Sequence, residues 1–235
     1  MSEILKISDL WGGYQEEIDI LRGISMEVQQ GEAVGIIGLN GSGKSTFGKA
    51  IMNMIPYRRG KIYFEGEDIT SLTTSQLSQR GISIMQQGGR VFQTLSVWDN
   101  LQLSLSKHSP DTLEKLKDVI PMLQKPKKEL QRTMADKLSG GQKHQLSLAM
   151  TLATNPRLVI LDEPSAGLSP KAVEDMYTTL RAIRERLGLT IILIEQNIAK
   201  AVNFCDRTVM LRQGVFGEIH VKDDFIEIEN ILFNK

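Results

Sequence analysis

Eight residues, Gly38-Leu39-Asn40-Gly41-Ser42-Gly43-Lys44-Ser45, fit the pattern G-x-x-x-x-G-K-[ST]. Each residue type has a chemical use there. Gly38, Gly41 and Gly43 let the backbone wrap until successive N–H groups point inward at phosphate oxygens. A helix starting behind the loop offers its N-terminus to the same anion. Lys44 brings a compact positive charge to the β- and γ-phosphates of a nucleotide, and Ser45 offers a hydroxyl to Mg2+. Asn40, Ser42 and Thr46 complete the candidate phosphate-binding set. The context agrees, with a strand-like VGII before the loop and a helix-like TFGKAIMNM after it.

A second stretch, LVILDE from Leu158 to Glu163, is a buried strand ending in acids. Asp162 is placed to hold Mg2+ through water. Glu163 is placed to accept a proton from an attacking water. Hydrophobic-hydrophobic-Asp-Glu alone is a weak signal, and the phosphate loop upstream strengthens it. A third stretch, TIILIEQN from Thr190 to Asn197, is another apolar strand, and it stops on three polar groups.

These stretches need a scaffold. VGIIG (34–38), LVILD (158–162), IILIE (191–195) and TVML (208–211) are continuous apolar runs, as expected of parallel strands covered on both faces. Helix-compatible segments at 44–54, 170–187 and 197–204 follow three of them, which is an α/β pattern. The first 30 residues and 60–70 alternate apolar with polar and carry turn residues, so they read as an antiparallel β layer. From 96 to 155 the spacing turns helical, with Ser109-Pro110 a plausible N-cap and first helical position. The run KPKKELQR (125–132) is basic without interleaved aromatics and reads as a solvated helix face or loop.

Formal net charge is +0, which argues against a broad electrostatic surface for nucleic acid or anionic lipid. The one cysteine, Cys205, excludes an internal disulfide and reads as a small buried hydrophobe beside Phe204. MSEILKISDL lacks a basic start followed by an apolar core, and no apolar run approaches the ~20 residues of a membrane span. The chain therefore reads as cytosolic, with any membrane crossing left to other subunits.

Leu138-Ser139-Gly140-Gly141-Gln142 opens a helical run, KHQLSLAMTLA. LSGGQ is the signature of ATP-binding-cassette (ABC) ATPases, and the chain resembles them over nearly its whole length. The resemblance implies an ABC cassette of the P-loop NTPase class spanning 1–235. Its mostly parallel α/β core and β subdomain would occupy about 1–95 and 156–235, with a helical subdomain inserted at about 96–155. It also implies a head-to-tail dimer enclosing two ATP, in which Ser139, Gly140, Gly141 and Gln142 of one protomer close over the γ-phosphate held by its partner. Tyr14 sits where the family stacks an aromatic on adenine; packing within the β layer is the competing reading. Gln87 aligns with the glutamine that senses Mg2+ and γ-phosphate, with Gln86 one residue away. Ser165 to Pro170 occupy the D-loop, where the family often has Asp at the position of Ser169. After the last core strand the family carries a switch histidine; the alignment puts Gln196 there, and capping of the next helix is the alternative. An amide does not titrate, so it would donate a hydrogen bond without carrying a proton.

EQN, EPSAGLSP and GGRVF together look like the second ATPase subunit of branched-chain amino-acid importers, with their urea and amide relatives. That subgroup implies permease subunits, a second ABC ATPase or a second copy of the chain, an extracytoplasmic binding protein, and a place at the cytoplasmic face of the membrane. The middle helical block, roughly 96–135, would receive a cytoplasmic helix of the permease. Gln145, Met150 and the C-terminal 20 residues match that subgroup loosely. A non-transport ABC switch is disfavoured because the interval between phosphate loop and signature is short and lacks sustained heptads. A GTPase is disfavoured because no N-K-x-D stretch is present.

Overall fold

The structure, a computed structural model, describes residues 2–105 and 112–221, with side chains up to residue 217. Ser109-Pro110 and the last 14 residues lie outside the described residues. The chain divides into two compact units, 1–77 with 190–235, and 78–189.

The first unit holds two strand systems. β1 (Glu3–Gly13), β2 (Leu21–Gln29), β4 (Tyr57–Phe64) and β5 (Glu67–Asp68) form an antiparallel sheet in the order β2-β1-β4-β5. In β2 buried and exposed residues largely alternate, as the sequence pattern of a one-faced sheet requires. β3 (Ala33–Ile37), β8 (Thr190–Glu195), β9 (Arg207–Arg212) and β10 (Val215–Val221) form the other system. β3 pairs in parallel with β8, Val34 opposite Ile192, and with β9, Gly35 opposite Thr208. β10 adds antiparallel to β9. Every residue of β3 and β8 is buried, which is why these runs are apolar without alternation.

α1 (Lys44–Ile51) and α8 (Ile198–Phe204) belong to this unit. α1 stops three residues short of the expected 54. Its end is tied down by Arg58, whose guanidinium donates to Ala50 O at 2.5 Å and to Thr70 O. A cation on terminal helix carbonyls is favourable both as a hydrogen bond and against the helix dipole.

The second unit pairs β6 (Ile82–Met85) with β7 (Leu158–Asp162) in parallel, Ser83 opposite Val159. Around them lie α2 (Thr74–Gln79, which straddles the division), α3 (Val97–Ser104), α4 (Thr112–Lys117), α5 (Lys127–Arg132), α6 (Gly140–Leu152) and α7 (Pro170–Leu187). The helical reading of 96–155 is seen, but α4 is short. Pro121 opens a separate 3-10 turn at Pro121–Gln124, and Pro126 N-caps α5. The basic run proves to be α5 and its approach; Leu130 alone in the helix is buried, and Lys127 lies 4.4 Å above the Trp98 ring. The aromatic missing from that run is supplied by α3. Cys205 is buried, as expected.

Candidate active site

In the first unit, β3 delivers the chain into the phosphate loop and α1 leaves it. Gly38 accepts no side chain: a Cβ there would lie 2.3 Å from Leu211 O. Gly43, at φ +104°, is the N-cap of α1 and supplies no capping side chain. The first N–H groups of α1 therefore need another acceptor, and an anion is the natural one. Lys44 is buried, and its ammonium donates to Gly38 O at 2.8 Å and Leu39 O at 3.0 Å, bracing the loop from inside. Ser42 Oγ is buried and has no hydrogen-bond partner among the described residues. A buried hydroxyl without a partner is costly, and a phosphate oxygen would satisfy it. Leu39, Asn40 and Gly41 are exposed, while Ser45 is half-buried and Thr46 buried.

Two other expected residues lie in this unit. Tyr14 follows β1 and is 47 % exposed, with Lys49 Nζ of α1 5.9 Å from its ring centre. It is not a packed member of the β layer. Beyond β8, Glu195 is buried and its Oε2 accepts from Gln196 N at 3.2 Å. Asn197 is the N-cap of α8, accepting from Lys200 N at 3.0 Å. The capping role weighed for Gln196 thus belongs to its neighbour, because the Asn side chain is one methylene shorter and reaches back to its own helix. Gln196, between the buried Glu195 and the helix cap Asn197, is exposed.

The second unit carries the carboxylates and the signature. Asp162 ends β7 and is 2 % exposed; Glu163 follows at 7 % exposure. Glu163 adopts φ +47°, a left-handed conformation uncommon outside glycine, which stores backbone strain of about 1–3 kcal/mol. Gln87 Nε2 donates to Glu163 Oε2 at 2.8 Å. This contact distinguishes Gln87 from Gln86, which makes no such bond.

Ser139 is the N-cap of α6 within a full capping box. Its Oγ accepts from Gln142 N at 3.3 Å, and Gln142 Oε1 accepts from Ser139 N at 2.9 Å. Ser139, Gly140 and Gln142 are exposed, so the hydroxyl and the helix N-terminus face outward as an anion site would. Ser169 N-caps α7, accepting from Ala172 N at 3.4 Å with Pro170 in the first turn. Ser is among the preferred N-cap residues, on a par with Asp.

An ABC transporter family model matches residues 21–166. The chain belongs to the ABC transporter ATP-binding family. It is 33 % identical over 205 residues to BraG, the high-affinity branched-chain amino acid transport ATP-binding protein of Pseudomonas aeruginosa, covering 86 % of each chain. Identity to LivF of Archaeoglobus fulgidus, a probable branched-chain amino acid transport ATP-binding protein, is 31 % over 215 residues, covering 90 % of this chain and 89 % of LivF. LptB of Escherichia coli, of the lipopolysaccharide export system, is similar at 31 % over 197 residues, covering 83 % and 81 %. A crystal structure of an ABC transporter's ATP-binding cassette in its ADP conformation superposes with TM-score 0.82 at 25 % identity, covering 100 % of this chain and 96 % of that one. The ABC cassette expected from LSGGQ is therefore the fold found. As a family member the chain is an ATP-hydrolysing subunit of a transporter. No helix among the described residues is long and apolar enough to cross a membrane.

The sequence motifs assign no role to His144, which is one of three histidines in the chain and lies far in sequence from the end of β8. It is buried on α6, with Nδ1 2.9 Å from Pro164 O. Its signal was available: a titratable side chain on a signature helix, five residues beyond Ser139.

Proposed function

We propose that the chain is one ABC cassette over 1–235 that hydrolyses ATP to power import of branched-chain or other hydrophobic amino acids through partner permeases. The observation that carries the chemistry is the Gln87–Glu163 bond at 2.8 Å, which orients a buried carboxylate. Glu163 accepts the proton of the attacking water. Lys44, the N–H groups of the phosphate loop and the start of α1 hold the phosphates, and Tyr14 stacks on adenine. Such a site works mainly by positioning and charge stabilisation.

Ser45, Gln87 and Asp162 would hold Mg2+: a hydroxyl, an amide and a carboxylate are hard oxygen donors of the kind that ion takes alongside phosphate. When bound, the ion neutralises charge on the β- and γ-phosphates. Ser139, Gly140, Gly141 and Gln142 complete the site of a second cassette, either another copy or a sister ATPase, and Gln196 donates to the γ-phosphate. The permeases would meet the helical block, where Met134 is 39 % exposed, together with the segment leading into it, where Phe92 is 56 % exposed. Backbone bonds Asp136 N to Gln93 O and Ala135 N to Leu95 O lay those two segments side by side. The subunit then works at the cytoplasmic face, with an extracytoplasmic binding protein choosing the cargo.

BraG and LivF support the amino-acid cargo. LptB, at similar identity, supports lipopolysaccharide export as a second reading; urea and short amides are the further cargo of the importer subgroup. The test is a pull-down from detergent-solubilised membranes with tagged Glu163→Gln and ATP-Mg, the co-purified proteins being identified by mass spectrometry. Two multi-span permeases with a second cassette support import, and the accompanying binding protein can be titrated with leucine, urea and acetamide. Recovery of a lipopolysaccharide-handling assembly decides for export. Recovery of ribosomes or nucleic-acid proteins defeats transport.

A further inference from the structure

His144 sits in the second turn of α6 and is 7 % exposed. A carbonyl oxygen only accepts, so the 2.9 Å contact to Pro164 O fixes the tautomer: Nδ1 carries the proton and donates. Pro164 directly follows Glu163. The other side of the ring abuts Gly89, where an added Cβ would come within 2.6 Å of His144 Cδ2 and 3.1 Å of Nε2. Gly89 lies two residues after Gln87, whose amide holds the Glu163 carboxylate at 2.8 Å. A closed circuit results: Glu163 to Pro164 through the chain, Pro164 to His144 by a hydrogen bond, His144 to Gly89 by contact, Gly89 to Gln87 through the chain, and Gln87 back to Glu163.

Ser139 stands at the head of the same helix, about 7.5 Å from His144 along the axis at 1.5 Å per residue. The capping box makes that first turn stiff, so displacement at Ser139 carries to His144. At the other end of the circuit Glu163 holds a left-handed backbone, φ +47°, which persists only while its surroundings impose it. A helix that moves as a body and a turn under strain are the parts of a two-state link.

We propose that His144 is a positioning residue that couples the signature end of α6 to the Glu163 carboxylate, linking the two nucleotide sites of a dimer through one chain. The proposal rests on the head-to-tail reading above, in which Ser139 serves the partner's nucleotide and Glu163 the chain's own. ATP under Ser139 shifts α6; His144 passes the shift to Pro164 and Gly89 together, and Glu163 with its Gln87 partner settles into working geometry.

The test compares wild type with His144→Leu, which fills the space without a donor, and His144→Gln, whose amide can donate to Pro164 O. Steady-state ATPase rates against ATP concentration give kcat and the Hill coefficient. A fluorescent ATP analogue gives affinity, and light scattering in a Glu163→Gln background gives ATP-driven dimerisation. The expected result for His144→Leu is a kcat about tenfold lower and a Hill coefficient reduced to 1, with analogue affinity and dimerisation within about twofold of wild type. His144→Gln restores both. Wild-type cooperativity and kcat in His144→Leu overturn the proposal, and so does equal loss in His144→Gln, which would mark a packing role. A wild-type dimer that hydrolyses ATP with a Hill coefficient of 1 overturns it alone. A wild type that never dimerises with ATP overturns the head-to-tail reading and the proposal with it.

Discussion

Gln87 holds Glu163 by a single amide-to-carboxylate hydrogen bond, Nε2 to Oε2 at 2.8 Å. The bond fixes the plane of a carboxylate that sits 7 % exposed on a strained turn. In the base role proposed for Glu163 its charge is what takes a proton from water, and Glu163→Gln removes the charge while keeping the shape. Turnover should fall by about 10^2–10^4-fold, the usual scale of a lost general base, with ATP affinity retained. Steady-state ATPase and equilibrium binding of an ATP analogue measure the two. Near wild-type turnover would remove Glu163 as the base.

The buried hydroxyl of Ser42 lacks a partner among the described residues. Ser42→Ala deletes a group that costs about 1–3 kcal/mol while unsatisfied. The nucleotide-free protein should therefore melt at the wild-type temperature or higher, and the rise in melting temperature on adding ATP should shrink. Thermal melts with and without ATP check this; an unchanged ATP shift would show that the hydroxyl does not meet phosphate.

Gln196 and Asn197 separate function from folding. Asn197 caps α8, so Asn197→Ala should lose about 1 kcal/mol of stability with kcat nearly intact. Gln196→Ala should cost less stability than Asn197→Ala and lower kcat about tenfold. Denaturant unfolding and ATPase assays on both variants decide it. Equal, small losses of activity would take Gln196 out of the site.

The architecture was legible where burial dictates residue type. Continuous apolar runs gave β3, β7, β8 and β9 to within about a residue at each end, because strands covered on both faces are apolar through their middles and keep polar side chains such as Asp162 and Glu195 to their ends. The bounds of α7 were readable from Ser169-Pro170 at its start and the glycine after Leu187. Boundaries set by side chains from elsewhere were not. α1 ends in Asn53 at φ +52°, with Met54 N donating to Lys49 O, and Arg58, on β4, adds a bond to Ala50 O that no pattern within α1 announces. The candidate residues of the phosphate loop and of LVILDE stand out in the sequence because phosphate chemistry would impose their types and spacing. His144 does not, since its partners, Pro164 and Gly89, lie 20 and 55 positions away and meet it only through folding.

Burial lowers the pKa of His144 from the ordinary 6.5, against a smaller opposing effect of its bond to Pro164 O. Asp175 of α7 is the other ionisable side chain lining the cavity beside it. The unfolded chain then binds a proton at higher pH than the folded one. Stability is full above about pH 6.5 and declines as pH falls from there toward the lowered folded value. His144→Gln cannot titrate, so melts between pH 8 and pH 5 should show wild type losing ground to this variant below pH 6.5. Parallel curves for the two proteins would exclude the effect.

Lys44, clasped by the carbonyls of Gly38 and Leu39, bears on calorimetry as well as on charge. A loop braced by its own lysine keeps its shape without help from a ligand. Arrival of the phosphates is then an exchange of acceptors on one ammonium, with little apolar surface changing hands at that end of the nucleotide. The phosphate end should thus add almost nothing to the heat-capacity change of binding, so that removing the ring by Tyr14→Ala should shrink the negative change that remains.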